Sequence, residues 1–439
     1  MLQICRIISA YYNMRSQIII ALLLVGFGCR NGNPIASNIQ PITLTEEYAT
    51  CTEVWLKISV DNVTHPAVTL ERNTTIIDTL FMVAADTTIV DTSVKAGQTY
   101  CYTARLLNSS FKSTVRARTL DSTSNEINWY ADTLGTQGLV RDVWVFNKNN
   151  VWAVGEMYLN DSTGKTDKNN LYNLAIWDGL KWTLKKVGYV YQNQTYWSAF
   201  YSIYSFDTND VWACSNQPMH WNGSSWQTYD ISSSIYSGGY INKVWGTSSS
   251  NLYIVGSNGS IAHYNGSSWQ KVESGTTVDL NDIFGLDANH IWAIGTMSDG
   301  NGTVILSFDG MAWKSLYQGN YYGFNSVWTN QSAWLYITCD SGPYQFNLKT
   351  KSFIKLSTPS QDAMYCVRAT GLNDVFFSGQ NKEITHYNGS TWKLYIDVQA
   401  LITTNAWWLS VKPTNDFVAV GGGYYMGYNF APIVLRGYR

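Results

Sequence analysis

Residues 261–272 read "IAHYNGSSWQKV". An aromatic residue precedes Asn-Gly, and a Trp follows three residues after the Gly. Asn and Gly tolerate the positive φ that tight hairpin turns need, so the stretch reads as two short strands around a turn. It has relatives: "LAIWDGLKWTLKK" at 174–186, "MHWNGSSWQTY" at 219–229, "LSFDGMAWKSL" at 306–316 and "ITHYNGSTWKLY" at 384–395. A degenerate copy, "YQFNLKTKSFIKL", spans 344–356.

A second motif precedes each copy, as in "RDVWVFNKNNVWAVGE" from 141 and "NDIFGLDANHIWAIGT" from 281. A seventh example, "WWLSVKPTNDFVAVGG", begins at 407. Its two strand centres lie nine residues apart: Val143 and Trp152, Ile203 and Trp212, Val244 and Tyr253, Ile283 and Trp292, Val327 and Tyr336, Val367 and Phe376, Leu409 and Val418. Successive units are 39 to 44 residues apart, except the first, at 60. Four short strands every forty residues or so mark a propeller blade, because one such sheet cannot bury both faces unless neighbours stack around a ring. The regular Trp of the outer strand (Trp182, Trp226, Trp269, Trp313, Trp392) supplies apolar area between blades, and Phe353 replaces it in the fifth. The seventh unit has no such Trp and stops after three strands. "EINWYADTL", 126–134, supplies the missing one with Trp129. The expected fold is therefore all-β, a seven-bladed propeller over 126–439 closed by strand 126–134, which removes the edges that invite aggregation.

Composition agrees. Of 439 residues, 45% are apolar and only 14% charged, against a usual quarter. Aromatic residues make up 15%, and a Gly-, Asn-, Ser- and Thr-rich remainder favours strands and turns over helices. The net charge of −2, with no basic tract, makes nucleic acid an unsuitable partner.

Residues 41–119 alternate like about seven short strands, the pattern of a sandwich. The segment "TIVDTSVKAGQTYCYTARL" resembles the later strands of a fibronectin type III domain, an immunoglobulin-like sandwich. The resemblance implies that Tyr100 and Tyr102 pack the corner, that Trp55 is a core Trp, and that the unit is a spacer or adhesive module. It also offers Cys51 and Cys101 as a bridge between the two sheets. Two unpaired core cysteines are the other reading.

"MRSQIIIALLLVGFGC", 14–29, has the order of a secretory signal and is short for a membrane span. Translation starts at Met1 or at Met14, making 1–28 the signal. The Cys at the end resembles a bacterial lipoprotein signal, which implies lipidation of Cys29, with 29–40 as anchor and tether. Gly28 fits that pattern. Phe27 and Gly26 depart from it, and a plain secreted protein is the alternative. Asn31 in place of Asp implies the outer membrane of a bacterial envelope.

"SFDGMAW", 307–313, is similar to the Asp-box of sialidase-like propellers, with one residue fewer between Asp and Trp. The Asp-box is a turn device. Sialidases also need an arginine cluster, and this propeller has only Arg141, Arg368, Arg436 and Arg439. His220, His263 and His386 share one slot on different blades, cannot converge, and read as sheet-surface residues beside aromatics. Asp142 and Asp282 precede inner strands near the channel mouth, where paired carboxylates would serve hydrolysis. Ser202, Lys243, Ser326, Cys366 and Ser410 fill that slot elsewhere, so turn capping is the plainer reading. The Asn-x-Ser/Thr triplets at Asn222, Asn265 and Asn388 coincide with the turn motif. No catalytic residue, metal site or cofactor is assigned.

Three irregular stretches remain, at 156–174, 189–202 and 421–432. Blades one and seven are neighbours after closure, so Tyr191, Trp197, Tyr424 and Tyr425 are expected on one aromatic face suited to sugar or protein. The leading function is a non-catalytic surface binding or adhesion module for an envelope or extracellular protein or glycan, held to the membrane by its lipid. The alternatives are a carbohydrate-active hydrolase or lyase working in the channel, and a structural component of an envelope complex.

Overall fold

The computed structural model describes residues 41–439 except 64, 65, 298, 299, 301, 321, 322 and 332. The signal, Cys29 and the tether lie outside the described residues. Nearly all regular structure is antiparallel strand.

Residues 41–119 form two sheets. One is ordered Ile42–Ala49, Val54–Val60, Asp86–Asp91. The other is ordered Thr75–Phe81, Ala67–Arg72, Thr99–Leu106, Lys112–Arg118. Val54–Val60 buries every second residue, as the two-residue period of a strand requires. Leu44, Leu56 and Ile58 from the first sheet share one core with Val68, Leu70, Tyr102 and Ala104 from the second. Tyr102 donates its hydroxyl to Asp91 at 2.8 Å, and Tyr100 accepts the Lys95 N–H at 2.8 Å.

Two expectations fail here. Trp55 is not a core residue. Val54 and Leu56 take the inward positions, and the Trp55 ring faces outward, 5.0 Å from Tyr48 and 5.1 Å from Trp334 of the ring. Cys51 and Cys101 do not pair, and both thiols are free. Cys51 sits in the turn after the first strand, where its sulfur abuts Gly389 of the ring. Cys101 alternates with fully buried Tyr102 and so points away from the core.

From residue 128 onward lie seven four-stranded antiparallel sheets in a multi-bladed, propeller-like arrangement. One sheet is ordered Leu280–Asp287, His290–Thr296, Thr303–Phe308, Trp313–Gly319. The first strands of the seven sheets are Gln137–Asn147, Ser202–Asp207, Ile241–Ser248, Leu280–Asp287, Ser326–Trp328, Met364–Gly371 and Ala406–Pro413. Each lies against the next, and the last against the first, so the ring is closed. In the last sheet Asn128–Thr133 pairs with Asn429–Tyr438, Trp129 opposite Gly437 and Ala131 opposite Leu435. A side chain at Gly437 would collide with the Trp129 indole, so glycine lets the closing strand seat its ring.

The recurring Trp does what the sequence implies. Trp226 meets Trp152 at 6.3 Å, Trp269 meets Trp212 at 6.0 Å, Trp313 meets Tyr253 at 6.2 Å and Trp129 meets Tyr395 at 5.2 Å. Each partner belongs to the preceding sheet, and each such aromatic pair adds roughly 0.5–1.5 kcal/mol beyond its buried area. The Asn-Gly stretch is a turn. Asn265 Oδ1 accepts the N–H groups of Ser267 and Ser268, both at 3.0 Å, with Gly266 at φ +90°. Asn222, Asp309 and Asn388 repeat the device.

Candidate functional site

The first strands deliver a polar and aromatic lining to the ring axis. Asp142 is 3% exposed. Its carboxylate accepts Lys243 Nζ at 2.7 Å, Ser410 Oγ at 2.7 Å and the Ile203 N–H at 3.0 Å. Burial works against that charge, but Lys243 and the Ser410 and Ile203 donors hold the carboxyl below its ordinary value. Asp282 accepts both Arg368 amino groups, at 3.0 and 2.9 Å, with Ser326 Oγ at 2.7 Å and the Val327 N–H at 2.9 Å. Each carboxylate therefore bolts its strand to the next. The capping reading is too weak for these residues: they are buried ionic hubs between sheets. The chamber bordered by Asp142, Lys243, Arg368 and Lys412 encloses about 30 Å³. Sites for small organic ligands need roughly 300–1,000 Å³, so no sugar ring fits, and the channel hydrolase loses both its acids and its space.

Two positions beyond the slot of Asp142 and Asp282 along each first strand lies a largely aromatic collar: Trp144, Tyr204, Trp245, Phe284 and Trp328, then Arg368 and Lys412, of which all but Trp328 line the chamber. Trp144 and Tyr204 are 4.9 Å apart and Arg368 lies 5.9 Å over Phe284. The seventh sheet is out of step with the expectation. Val411, opposite Val420, is the equivalent of Val143, in place of Leu409 and Val418: the bulge before Ser410 recurs before Asp142, Lys243, Asp282 and Cys366, but the last sheet lacks the second bulge that five others insert beside the first turn. Counted from Leu409 the collar slot falls on Ser410, so Lys412 escapes the repeat. The signal available was the collar itself, five aromatic residues in one slot.

The antiparallel order puts the turns between first and second and between third and fourth strands at one end of the ring. All other connections leave from the opposite end. Tyr191 and Trp197 lie on the link between the first two sheets, and Tyr424 and Tyr425 on the second strand of the last, so all four belong to that opposite end. They occupy two places there. Tyr191 lines a cleft of about 520 Å³ with Gln217, Asp230 and Tyr236 of the second sheet's loops, and Trp197 is 55% exposed nearby. Tyr425 packs on Phe430 at 4.1 Å and Trp407 at 6.0 Å. Tyr424 lies within 3.5 Å of the Thr133 hydroxyl, and Tyr428 stands fully exposed at the hairpin tip. The first sheet's loop lies between. Asp161 folds it by accepting the Thr163 and Lys165 N–H groups at 2.8 and 3.1 Å.

The histidines stay on their own sheets. His220 stacks on Trp212 at 4.4 Å, His263 on Tyr253 at 4.5 Å and His386 on Phe376 at 4.1 Å. His386 also meets Asp374 at 2.8 Å, which Arg439 and Thr370 contact too. Burial pushes the His386 imidazole below its ordinary value, and that of His263 likewise. Among the described residues no group of three His, Cys, Asp or Glu is placed to hold a metal, and no helix is long and apolar enough to cross a membrane.

A second cleft was not foreseen. It encloses about 350 Å³ between the two units and is lined by Glu53, Trp55, Trp334, Asn347, Tyr387 and Trp392. The junction is bonded on both sides: Asn373 Nδ2 donates to the Asp121 carbonyl at 2.7 Å and Asn388 Nδ2 to that of Thr123 at 3.1 Å. Trp55 alone could have signalled it, as an indole beside an alternating core.

No family model and no curated protein matches the sequence. Solved structures do resemble the fold. YCF48 bound to a D1 peptide superposes with TM-score 0.54 at 15% identity, over 72% of this chain and 97% of that one. The WD40 β-propeller domain of Doa1 gives 0.50 at 12%, over 72% and 98%. YCF48 from Cyanidioschyzon merolae gives 0.50 at 13%, over 71% and 98%. At these identities the likeness is one of fold, a β-propeller.

Proposed function

We propose that the chain is a non-catalytic binding module, a seven-bladed propeller behind a fibronectin type III-like spacer, that recognises an extracellular or envelope protein through the loop end of its ring. The observation that carries this reading is the division of labour across the ring. The axial carboxylates are consumed by strand-bridging ion pairs, while the aromatic residues without a repeat equivalent collect on the loops of one end. Exposed Tyr and Trp at low cost in side-chain entropy suit recognition. A structure similar in fold holds a peptide, which favours protein over glycan as the ligand class. Cys29 as a lipid anchor and an outer-membrane location fit a surface module, and replacing Cys29 with Ala would then release the chain from the membrane fraction.

The test is a screen of the chain from residue 36 onward against envelope proteins, peptides and glycans. The triple variant Tyr191→Ala, Trp197→Ala, Tyr424→Ala is carried beside it. The expected result is a protein ligand whose affinity falls at least tenfold in the variant, with the melting temperature little changed. A ligand bound equally by both proteins removes this face. A ligand competing at the 350 Å³ junction would move the site to Trp55 and Trp334.

A further inference from the structure

The collar holds a charge that the ring's ion pairs leave over. Three cations, Lys243, Arg368 and Lys412, border the axial chamber with one carboxylate, Asp142, and a second, Asp282, pairs with Arg368 from outside the lining. Lys243 is matched by Asp142 and Arg368 by Asp282. Lys412 has no carboxylate at ion-pair distance among the described residues. Its ammonium lies 3.6 Å over the centre of the Trp144 ring. A ring face engages one side of an ammonium that carries three N–H donors, so donors remain aimed into the chamber. An uncompensated charge there is costly. Burial, reinforced by Arg368 and Lys243 and opposed by Asp142, pushes Lys412 down to about 7. At neutral pH the ammonium and the free amine are thus close in energy, and any anion entering favours the ammonium.

We propose that this chamber is a binding site for one small monovalent anion of halide size, held by Lys412 on the ring axis. Size sets the class. About 30 Å³ admits one or two water-sized particles, since one needs roughly 10–15 Å³. A carboxylate attached to a peptide or a sugar acid is too large. The one positive charge left over at Lys412 favours an anion over water, and the aromatic walls of Trp144 and Phe284 favour a weakly hydrated one. The anion would stabilise the folded ring independently of any ligand at the loop end, and this inference does not rest on the proposed binding function.

Two measurements on the full chain test it. Crystals grown or soaked in bromide are expected to show one anomalous peak within hydrogen-bonding distance of Lys412 Nζ. In solution, exchanging gluconate for chloride at equal ionic strength is expected to raise the melting temperature by roughly 1–3 °C at pH 6. The gain should vanish in Lys412→Met, which keeps the stem and removes the charge, and should fade by pH 9. The charged and titratable groups acting on Lys412 are Arg368, Asp142, Lys243 and Cys366, with Tyr204 also lining the chamber; Lys412 is the one lowered toward neutrality. No bromide in the wild-type chamber, or the same chloride gain in Lys412→Met, overturns the proposal. The bromide experiment needs only the wild-type chain, so it decides the matter even if the variant does not fold.

Discussion

The two ends of the ring are built by different rules. At one end the connections are short turns, and in five of those between third and fourth strands an Asn or Asp side-chain oxygen takes two N–H groups beside a glycine at positive φ, as at Asn265 and Gly266. That end also meets the first unit, where Gly389 abuts Cys51 and Asn373 reaches Asp121. At the other end lengths and compositions vary, and Trp197 and Tyr428 stand in solvent. The difference teaches where selection by folding stops. A turn that must reverse a strand in four residues admits few side chains, whereas a loop anchored on a rigid ring can carry almost any, which is where binding residues collect.

If this contrast is right, damage to the ring's interior should cost far more than damage to the loops. The largest loss is expected from Asp282→Ala, which strands buried Arg368; removing one partner of a buried pair costs about 3–5 kcal/mol, read as a lowered urea midpoint. Trp129→Ala should cost about 3 kcal/mol, since it empties the closing strand's place against Tyr395. A pH titration sharpens the picture. His386 and His263 bind protons less readily folded than unfolded, so stability is complete above their ordinary value of 6.5 and falls as pH drops below it. In His386→Gln the slope of the melting temperature between pH 7 and 5 should flatten. Gly266→Ala, at φ +90°, should cost about 1–2 kcal/mol at the regular end. Tyr428→Ser at the loop end should stay within about 0.5 kcal/mol. A Tyr428→Ser loss as large as that of Gly266→Ala would erase the contrast.

The regular end was legible in the sequence because its chemistry is local. Asn-Gly, the Trp three residues on and the nine-residue spacing are each fixed by one hairpin. Trp129 could be assigned to the last sheet because a missing strand at one end matched a spare at the other. Legibility failed where non-local geometry decides. Cys51 and Cys101 looked pairable by separation, but alternation turns one outward and the turn takes the other to the ring. Trp55 looked like core and is junction, because its ring lies outside its own core, between Tyr48 and Trp334 of the second unit. Asp142 and Asp282 looked like caps, and their cations come from strands 101 and 86 residues away. Lys412 was hidden because the last sheet omits the bulge that five others insert beside the first turn, which no local pattern announces.

Hydrogen–deuterium exchange over the closing strand tests the account most directly. Closure predicts that the amides of Asn128–Thr133 that face Asn429–Tyr438 exchange as slowly as those of Leu280–Asp287 in the middle of the ring. Exchange in Asn128–Thr133 at the rate of an unprotected peptide, with Leu280–Asp287 still protected, would mean the ring is open, and the division between its two ends would go with it.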